Sequence, residues 1–183
     1  MLRLAFTRPY HWPSMLGFLA GRAIPGVEVV AAEQGEYRRA ISVDGASGSV
    51  AIRLAADGSH LVAAIDASRI AALPAVVGRI RRLFDLDADA AAIDAQLAKD
   101  PLLARGIAAR PGLRVPGAWD PFELAVRAIL GQQISVAAAR TLAGRVAHLC
   151  GDRVAGAEDR GCGLVFPGPE RLAHQPVGQR NQA

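Results

Sequence analysis

The sequence predicts an α+β protein in which an antiparallel sheet with two helices is followed by a region built only of helices. Short apolar runs in the first half are separated by turns that contain glycine, as in consecutive hairpins. Two other stretches of that half repeat apolar residues at helical spacing. Beyond Leu86 only helical patterns continue. With 183 residues, 51% of them hydrophobic, the chain has the composition of a globular protein.

The elements of the first half follow in order. Leu2 to Thr7 predicts a strand, and the apolar stripe of Trp12 to Ala23 predicts a helix that Pro25-Gly26 ends. Four strands come next, over Val27–Glu33, Glu36–Val43, Gly48–Ala55 and His60–Asp66. A helix then spans Ile70 to Phe84, and Pro74 either starts it or kinks it. This order predicts an antiparallel sheet with helices on one face.

The second half predicts three helices, over Asp89–Ala98, Pro121–Gly131 and Ser135–Leu149. Asp120 is a suitable cap for the second of them, with Glu123 completing a capping box. The apolar faces of the last two helices have no obvious partner among the polar residues that follow. We therefore expect a sheet domain over residues 1–87, a partial helical domain over 88–173, and a polar tail over 174–183 that is disordered or out of frame.

Charge and cysteine content limit the classes of function. The net charge of +4 lies wholly in the second half, where residues 101–183 hold ten arginines, no lysine and six acids. So small an excess predicts weak binding to a polyanion. The start of the chain lacks a continuous apolar segment, and two cysteines without C-x-x-C spacing suit a reducing compartment. A soluble, cytoplasmic monomer without membrane contact is the expectation.

Self-sufficient catalytic and cofactor motifs are absent from the sequence. The segment from Gly45 to Ser49 lacks the lysine of a phosphate loop and fits a hairpin turn. His148, Cys150 and Cys162 have no fourth ligand at a standard spacing, which makes a metal site improbable. The sequence thus predicts no metal and no cofactor.

Two features carry more information. Phe18 lies on the first helix about 110° from its apolar stripe, so its ring is either at the edge of the core or part of an aromatic wall facing another domain. Gly131 to Ser135 form a tight joint between two capped helices. Its adjacent glutamines, Gln132 and Gln133, are either merely solvated or placed to enter a DNA groove beside a helix N-terminus.

At these residues the chain resembles the AlkA-type DNA glycosylases, the DNA-3-methyladenine glycosylases II. Six separated blocks in the same order carry the resemblance: Pro9–Trp12 running into Met15–Ala23, Gly35–Arg39, Arg82–Leu86, Arg110–Arg114 and Arg127–Val136. The resemblance implies a sheet domain like that of the TATA-binding protein, followed by an incomplete helix-hairpin-helix glycosylase domain. It also implies excision of alkylated bases from double-stranded DNA after the damaged nucleotide is flipped out.

The resemblance assigns roles to particular residues. Phe18 matches an aromatic residue of the base pocket, where an electron-rich ring attracts a positively charged alkylated base. Gln133 matches the residue that wedges into the stack, a leucine in the best-known form of the family. Gln132, Ser135 and Arg127 are expected to contact DNA with it.

Two family features have no counterpart in the chain. The Leu-Pro-Gly-x-Gly hairpin and the aspartate that follows it are missing, and none of Asp152, Glu158, Asp159 and Glu170 fits the catalytic role by motif. We therefore assign no catalytic residue and expect a carboxy-terminally truncated glycosylase that is inactive alone. The alternative is a non-catalytic DNA-binding or protein-interaction module derived from a glycosylase or from a regulator-glycosylase fusion.

Overall fold

The structure is a computed structural model that describes residues 1–154, 157 and 161–174. The predicted polar tail lies outside the described residues except for His174, as do Glu158 and Asp159. Among the helices of the described part, none has the length and apolar character that crossing a membrane requires.

The first part of the chain forms a five-stranded sheet. Its strands are β1 (Leu2–Ala5), β2 (Glu28–Ala31), β3 (Glu36–Val43), β4 (Ala46–Leu54) and β5 (His60–Ala67). They are arranged in the order β1-β5-β4-β3-β2, and every neighbouring pair is antiparallel. The predicted sheet is thereby confirmed. Its tightest hairpin, between β3 and β4, turns at Asp44 and Gly45, both of which have positive φ angles.

Two helices supply the apolar side chains that cover one face of the sheet. Helix α1 (Trp12–Ala20) ends three residues before the predicted end. Helix α2 (Leu73–Leu83) follows a 3₁₀ turn over Ile70–Ala72, and Pro74 lies in its first turn, which decides the two alternatives in favour of a helix start. Both helices pack into the main core, whose members include Trp12, Met15, Leu16, Leu19, Tyr37, Ile41, Ile52, Leu61, Val76, Ile80, Phe84 and Trp119.

Five further helices follow α2 in the described part of the chain. They are α3 (Ala90–Leu97), α4 (Pro101–Ala109), α5 (Pro121–Leu130), α6 (Val136–Cys150) and α7 (Pro169–Ala173). Helices α4 and α7 were not predicted. The sequence does contain a helix start for α4, because Asp100 precedes Pro101 just as Asp120 precedes Pro121. In the structure Asp100 accepts a 2.8 Å hydrogen bond from the Leu102 N–H, and Asp120 caps α5 in the same way.

The predicted capping box of α5 is wrong in one respect. Asp120 does accept hydrogen bonds from the N–H groups of Phe122 and Glu123, at 2.9 and 3.1 Å. The Glu123 side chain, however, is buried and bound to Arg39 of β3 instead of returning to the cap. A strong charge partner on the sheet competes successfully with the local hydrogen bond of a capping box.

The segment between α4 and α5 returns to the sheet domain. The His11 N–H donates to the Gly112 carbonyl at 2.9 Å, and the Gly117 N–H donates to the Leu83 carbonyl at 3.0 Å. Trp119 is 4% exposed and belongs to the same core as α1 and α2. The division between residues 87 and 88 stays a prediction, but residues on both sides of it share one core.

The apolar faces of α5 and α6 have partners, contrary to the expectation from the sequence. Buried Ile24, Val27 and Phe166 form a second cluster with α6, against which Val126 and Val146 are half-buried. Ile129, by contrast, is 65% exposed. The sequence prediction failed here because the covering residues come from the loop before β2 and from the end of the described chain.

Candidate functional site

A cavity of about 430 Å³ lies between α1, the sheet, and helices α5 and α6. A volume of this size is within the usual range for sites that hold a small molecule. Residues from every surrounding element line it, the most informative being Phe18, Arg22, Glu28, Arg39, Trp119, Glu123, Leu124, Arg127, Gly131, Ile134 and Arg140. The cavity therefore brings together residues that are more than a hundred positions apart in the sequence.

Buried charges form one wall of this cavity. Arg39 is 2% exposed, and its Nη2 donates to Glu123 Oε2 at 2.8 Å. Its Nη1 donates to Glu28 Oε1 at 3.4 Å, and its guanidinium lies 4.7 Å from the centre of the Trp119 ring. Burial by itself would lower the pKa of Arg39, but the charges of Glu123 and Glu28 outweigh it and raise the pKa.

Glu28 is the best-connected acid of the cavity. Its Oε1 accepts a 2.6 Å hydrogen bond from the Tyr37 hydroxyl, and its Oε2 accepts a 2.9 Å bond from the Ile24 N–H. Burial, followed by the charge of Glu28, raises the pKa of the Tyr37 hydroxyl well above its ordinary value. Tyr37 thus remains a hydrogen-bond donor to Glu28 across the neutral pH range.

Arg127, one of the residues expected to contact DNA, lies beside the buried acids of the cavity wall. Its Nη1 lies 3.4 Å from a carboxylate oxygen of both Glu28 and Glu123, and its Nη2 donates to the Arg22 carbonyl at 2.7 Å. These contacts link α5 to β2 and to the chain just after α1. Arg127 therefore balances the buried charge of this wall, and a role at DNA would be additional to it.

Phe18 of α1 lines the cavity and lies outside the core cluster. The residue is 40% exposed and lines the cavity together with residues of α5 and α6. Its position off the apolar stripe of α1 thus places it at the cavity and not in the core. The guanidinium of Arg22 lies 3.8 Å from the centre of the Phe18 ring.

The joint between α5 and α6 borders the same cavity. Gly131 and Ile134 line it, whereas Gln132, Gln133 and Ser135 are exposed beside it. Gln133 has a φ of 61°, in the left-handed region that residues with a Cβ rarely adopt. The Ser135 Oγ accepts from the Ala138 N–H at 3.2 Å and so caps α6, as predicted.

Sequence reasoning missed Glu28, Arg39 and Trp119. Arg39 is in a strand, two residues after the buried Tyr37, so strand alternation does place both side chains on the same face. That signal was weak, since an arginine is rarely buried without a partner and its partner Glu123 is 84 positions away.

Comparison with known proteins decides the family. A family model described as the AlkA N-terminal domain matches residues 1–120. The chain belongs to this family. The match extends past the sheet and α4 to the segment that carries Trp119, in agreement with the shared core of the structure.

Relatives of this AlkA-family chain are DNA repair proteins by name. It is 40% identical over 175 residues to DNA-3-methyladenine glycosylase 2 of Escherichia coli (strain K12), covering 94% of this chain and 57% of that protein. It is 39% identical over 179 residues to the "Probable bifunctional transcriptional activator/DNA repair enzyme AlkA" of Mycobacterium tuberculosis (strain CDC 1551 / Oshkosh), covering 97% of this chain and 35% of that protein. The chain thus spans about half or less of the length of these curated relatives.

Solved structures share the fold of the AlkA-family chain. A 3-methyladenine DNA-glycosylase from Archaeoglobus fulgidus superposes with a TM-score of 0.83 at 23% identity, covering the whole of this chain and 61% of that one. MBOgg1 in complex with a low-affinity DNA ligand gives a TM-score of 0.67 at 22% identity, covering 98% and 54%. These matches agree with the α+β class; the helix-hairpin-helix character of residues 88–173 stays a prediction.

Proposed function

We propose that this AlkA-family chain forms the DNA-facing scaffold of a glycosylase that repairs alkylated DNA by base excision. The observation that carries the proposal is that the exposed ring of Phe18 and the joint with Gln132 and Gln133 border one cavity. A flipped base needs a pocket, and the gap that it leaves needs a side chain to fill it. The two features meet these needs on adjacent surfaces.

The chemistry of the damage suits the cavity. Alkylation at a ring nitrogen gives a purine a positive charge and weakens its glycosidic bond. Such a base is attracted to the face of an aromatic ring, here that of Phe18. Gln133, exposed at the tip of the joint, is long enough to enter the stack, and its amide can hydrogen-bond the orphaned base.

Base release requires more than a pocket. A carboxylate near the sugar stabilises the positive charge that develops as the base departs. Glu28 and Glu123 are the acids among the described residues that line the cavity, and both are ion-paired with Arg39 and Arg127. Their charge is thus already balanced, which favours a chain that binds DNA but does not itself release bases.

The second candidate is a DNA-binding module with no part in excision, and the same paired acids favour it. The two candidates differ in what they predict for damaged DNA. A glycosylase scaffold prefers duplexes that contain an abasic-site analogue, since such a site needs no unstacking energy before the wedge enters. A simple module binds damaged and undamaged duplexes equally.

Fluorescence anisotropy with two otherwise identical duplexes, one carrying an abasic-site analogue, separates these outcomes. We expect weak binding with a preference for the damaged duplex, and a Gln133→Ala variant that loses the preference. Affinity should fall with salt, because the few phosphate contacts of a chain with net charge +4 release counterions. Equal affinity for both duplexes supports the module; no binding to either contradicts both candidates.

A further inference from the structure

The ring face of Phe18 is already covered by the chain itself. The Arg22 guanidinium carbon lies 3.8 Å from the ring centre, and Arg22 Nη1 lies 3.4 Å from the Phe18 carbonyl oxygen, to which it donates. Both side chains line the cavity. The guanidinium is a flat cation, and so is a purine methylated at a ring nitrogen. The surface proposed for the damaged base is thus occupied by a group that is also flat and positively charged.

The side chain of Arg22 is freer to leave its place than those of Arg39 and Arg127. Arg39 and Arg127 are bound to Glu28 and Glu123, whereas no carboxylate forms an ion pair with Arg22 within the described residues. Its backbone is fixed, because its carbonyl accepts the 2.7 Å hydrogen bond from Arg127 Nη2. The side chain can therefore swing away from Phe18 without breaking an ion pair and without moving the loop.

We propose that Arg22 acts as an internal ligand of Phe18 that an entering base has to displace. The identity of that base rests on the proposed function. A cationic base restores the cation–π attraction that is lost when the guanidinium leaves, whereas a neutral base restores only part of it. The exchange is thus balanced for an alkylated purine and unfavourable for an undamaged one. Undamaged bases therefore bind too weakly to displace the Arg22 guanidinium from Phe18.

The test is a ligand titration followed by NMR, with 7-methylguanosine at mildly acidic pH as the cationic probe and guanosine as the neutral one. Arg22→Met removes the guanidinium and keeps an apolar stem. We expect it to bind 7-methylguanosine about two- to thirtyfold more tightly than the unaltered chain, the range that corresponds to a cation–π contact. Guanosine should bind more weakly than 7-methylguanosine to both proteins.

Further variants separate the loss of the contact between Arg22 and Phe18 from simple removal of a positive charge. Arg140 also lines the cavity and is exposed, without an ion-pair partner in the described part of the chain, so Arg140→Met controls for relief of repulsion and should give a smaller gain. In a Phe18→Leu background the Arg22→Met change should give no gain beyond that control, because the contact it removes is gone. Arg22→Gln, checked by circular dichroism, repeats the test with a polar side chain.

Several results would overturn the inference. They are unchanged or weaker binding by Arg22→Met, an equal gain from Arg140→Met, a gain that persists without Phe18, and no binding of 7-methylguanosine to Arg22→Met. Because the titration contains no DNA, its outcome is independent of the proposed function. Equal affinity of the unaltered chain for damaged and undamaged duplexes would contradict the glycosylase proposal and leave the Arg22 result standing.

Discussion

Arg39 on strand β3 and Glu123 on helix α5 form a buried ion pair, with 2.8 Å between Nη2 and Oε2. The pair fixes the first turn of α5 against the sheet, and Arg127, one turn later on the same helix, contacts the chain after α1. The helix that ends at the joint is thus tied to the sheet and to the chain just after α1, the helix that carries Phe18. Buried charge therefore sets the position of the joint relative to α1 and the sheet.

The first prediction concerns this pair. Arg39→Met leaves Glu28 and Glu123 buried with less compensation, so we expect the free energy of unfolding to fall by about 3–5 kcal/mol. Arg38, the residue before Arg39, forms a partly exposed ion pair with Glu36. Arg38→Met breaks this pair and should lower the free energy of unfolding by less than about 1 kcal/mol. Urea denaturation followed by circular dichroism measures both. Similar losses of free energy of unfolding in the two variants would show that the buried pair stabilises the fold no more than the exposed one.

The second prediction is a pH dependence. The pKa of Tyr37 is raised in the folded state, so the folded chain keeps a proton that the unfolded chain releases above about pH 10. The free energy of unfolding should therefore fall as the pH rises beyond that value. Tyr37→Phe should be less stable at pH 8, because Glu28 loses a donor, and should show a shallower alkaline decline.

Tyr10 serves as the comparison for that experiment. Burial raises its pKa as well, while Arg114 opposes the rise. Tyr10→Phe should remove only the part of the alkaline fall in the free energy of unfolding that is due to Tyr10. If Tyr37→Phe declines as steeply as the unaltered chain, the buried contact between Tyr37 and Glu28 does not exist in solution.

The third prediction concerns a close approach of the chain to itself. Gly112 has a φ of +75°, and a Cβ there would lie 2.4 Å from the Pro9 carbonyl carbon. Gly112→Ala should lower the free energy of unfolding by at least about 2 kcal/mol. Gly78 in α2 has open space around it, so Gly78→Ala should raise it by about 0.5–1 kcal/mol. Thermal melting compares them, and a harmless Gly112→Ala would contradict the packing of this segment.

The fourth prediction separates stability from DNA binding at the joint. Gln133 is held at a φ of 61°, which costs a residue with a Cβ about 1 kcal/mol. Gln133→Gly should therefore be more stable by roughly that amount and should bind an abasic-site duplex less tightly. Gln132→Gly should lose stability instead. Retained preference for the abasic site in Gln133→Gly would remove Gln133 from the wedge role.

Features set by local residue patterns could be predicted from the sequence. The strands of the first half, the Asp120 and Ser135 caps and the position of Phe18 off its helical stripe all depend on neighbours within a few residues. The burial of Glu123 could not be predicted, because its partner Arg39 is distant in sequence.

Other contacts over long sequence distances have a similar origin. Those of Arg127 with Glu28 and with the Arg22 carbonyl depend on tertiary packing, and its contact with DNA stays a prediction. The residues that cover the apolar faces of α5 and α6 were not predicted, because Ile24 and Phe166 belong to irregular segments without periodicity. Local patterns gave the elements, and long-range charge and packing gave the cavity.

We propose that this chain engages alkylated DNA and leaves the glycosidic bond intact. This claim is tested most directly by incubating the purified chain with duplex DNA containing 7-methylguanine and measuring the released base by chromatography. A Phe18→Leu variant purified in the same way reveals any contaminating activity, which would be equal in both samples. The account predicts no release above that background; release that depends on Phe18 would contradict it.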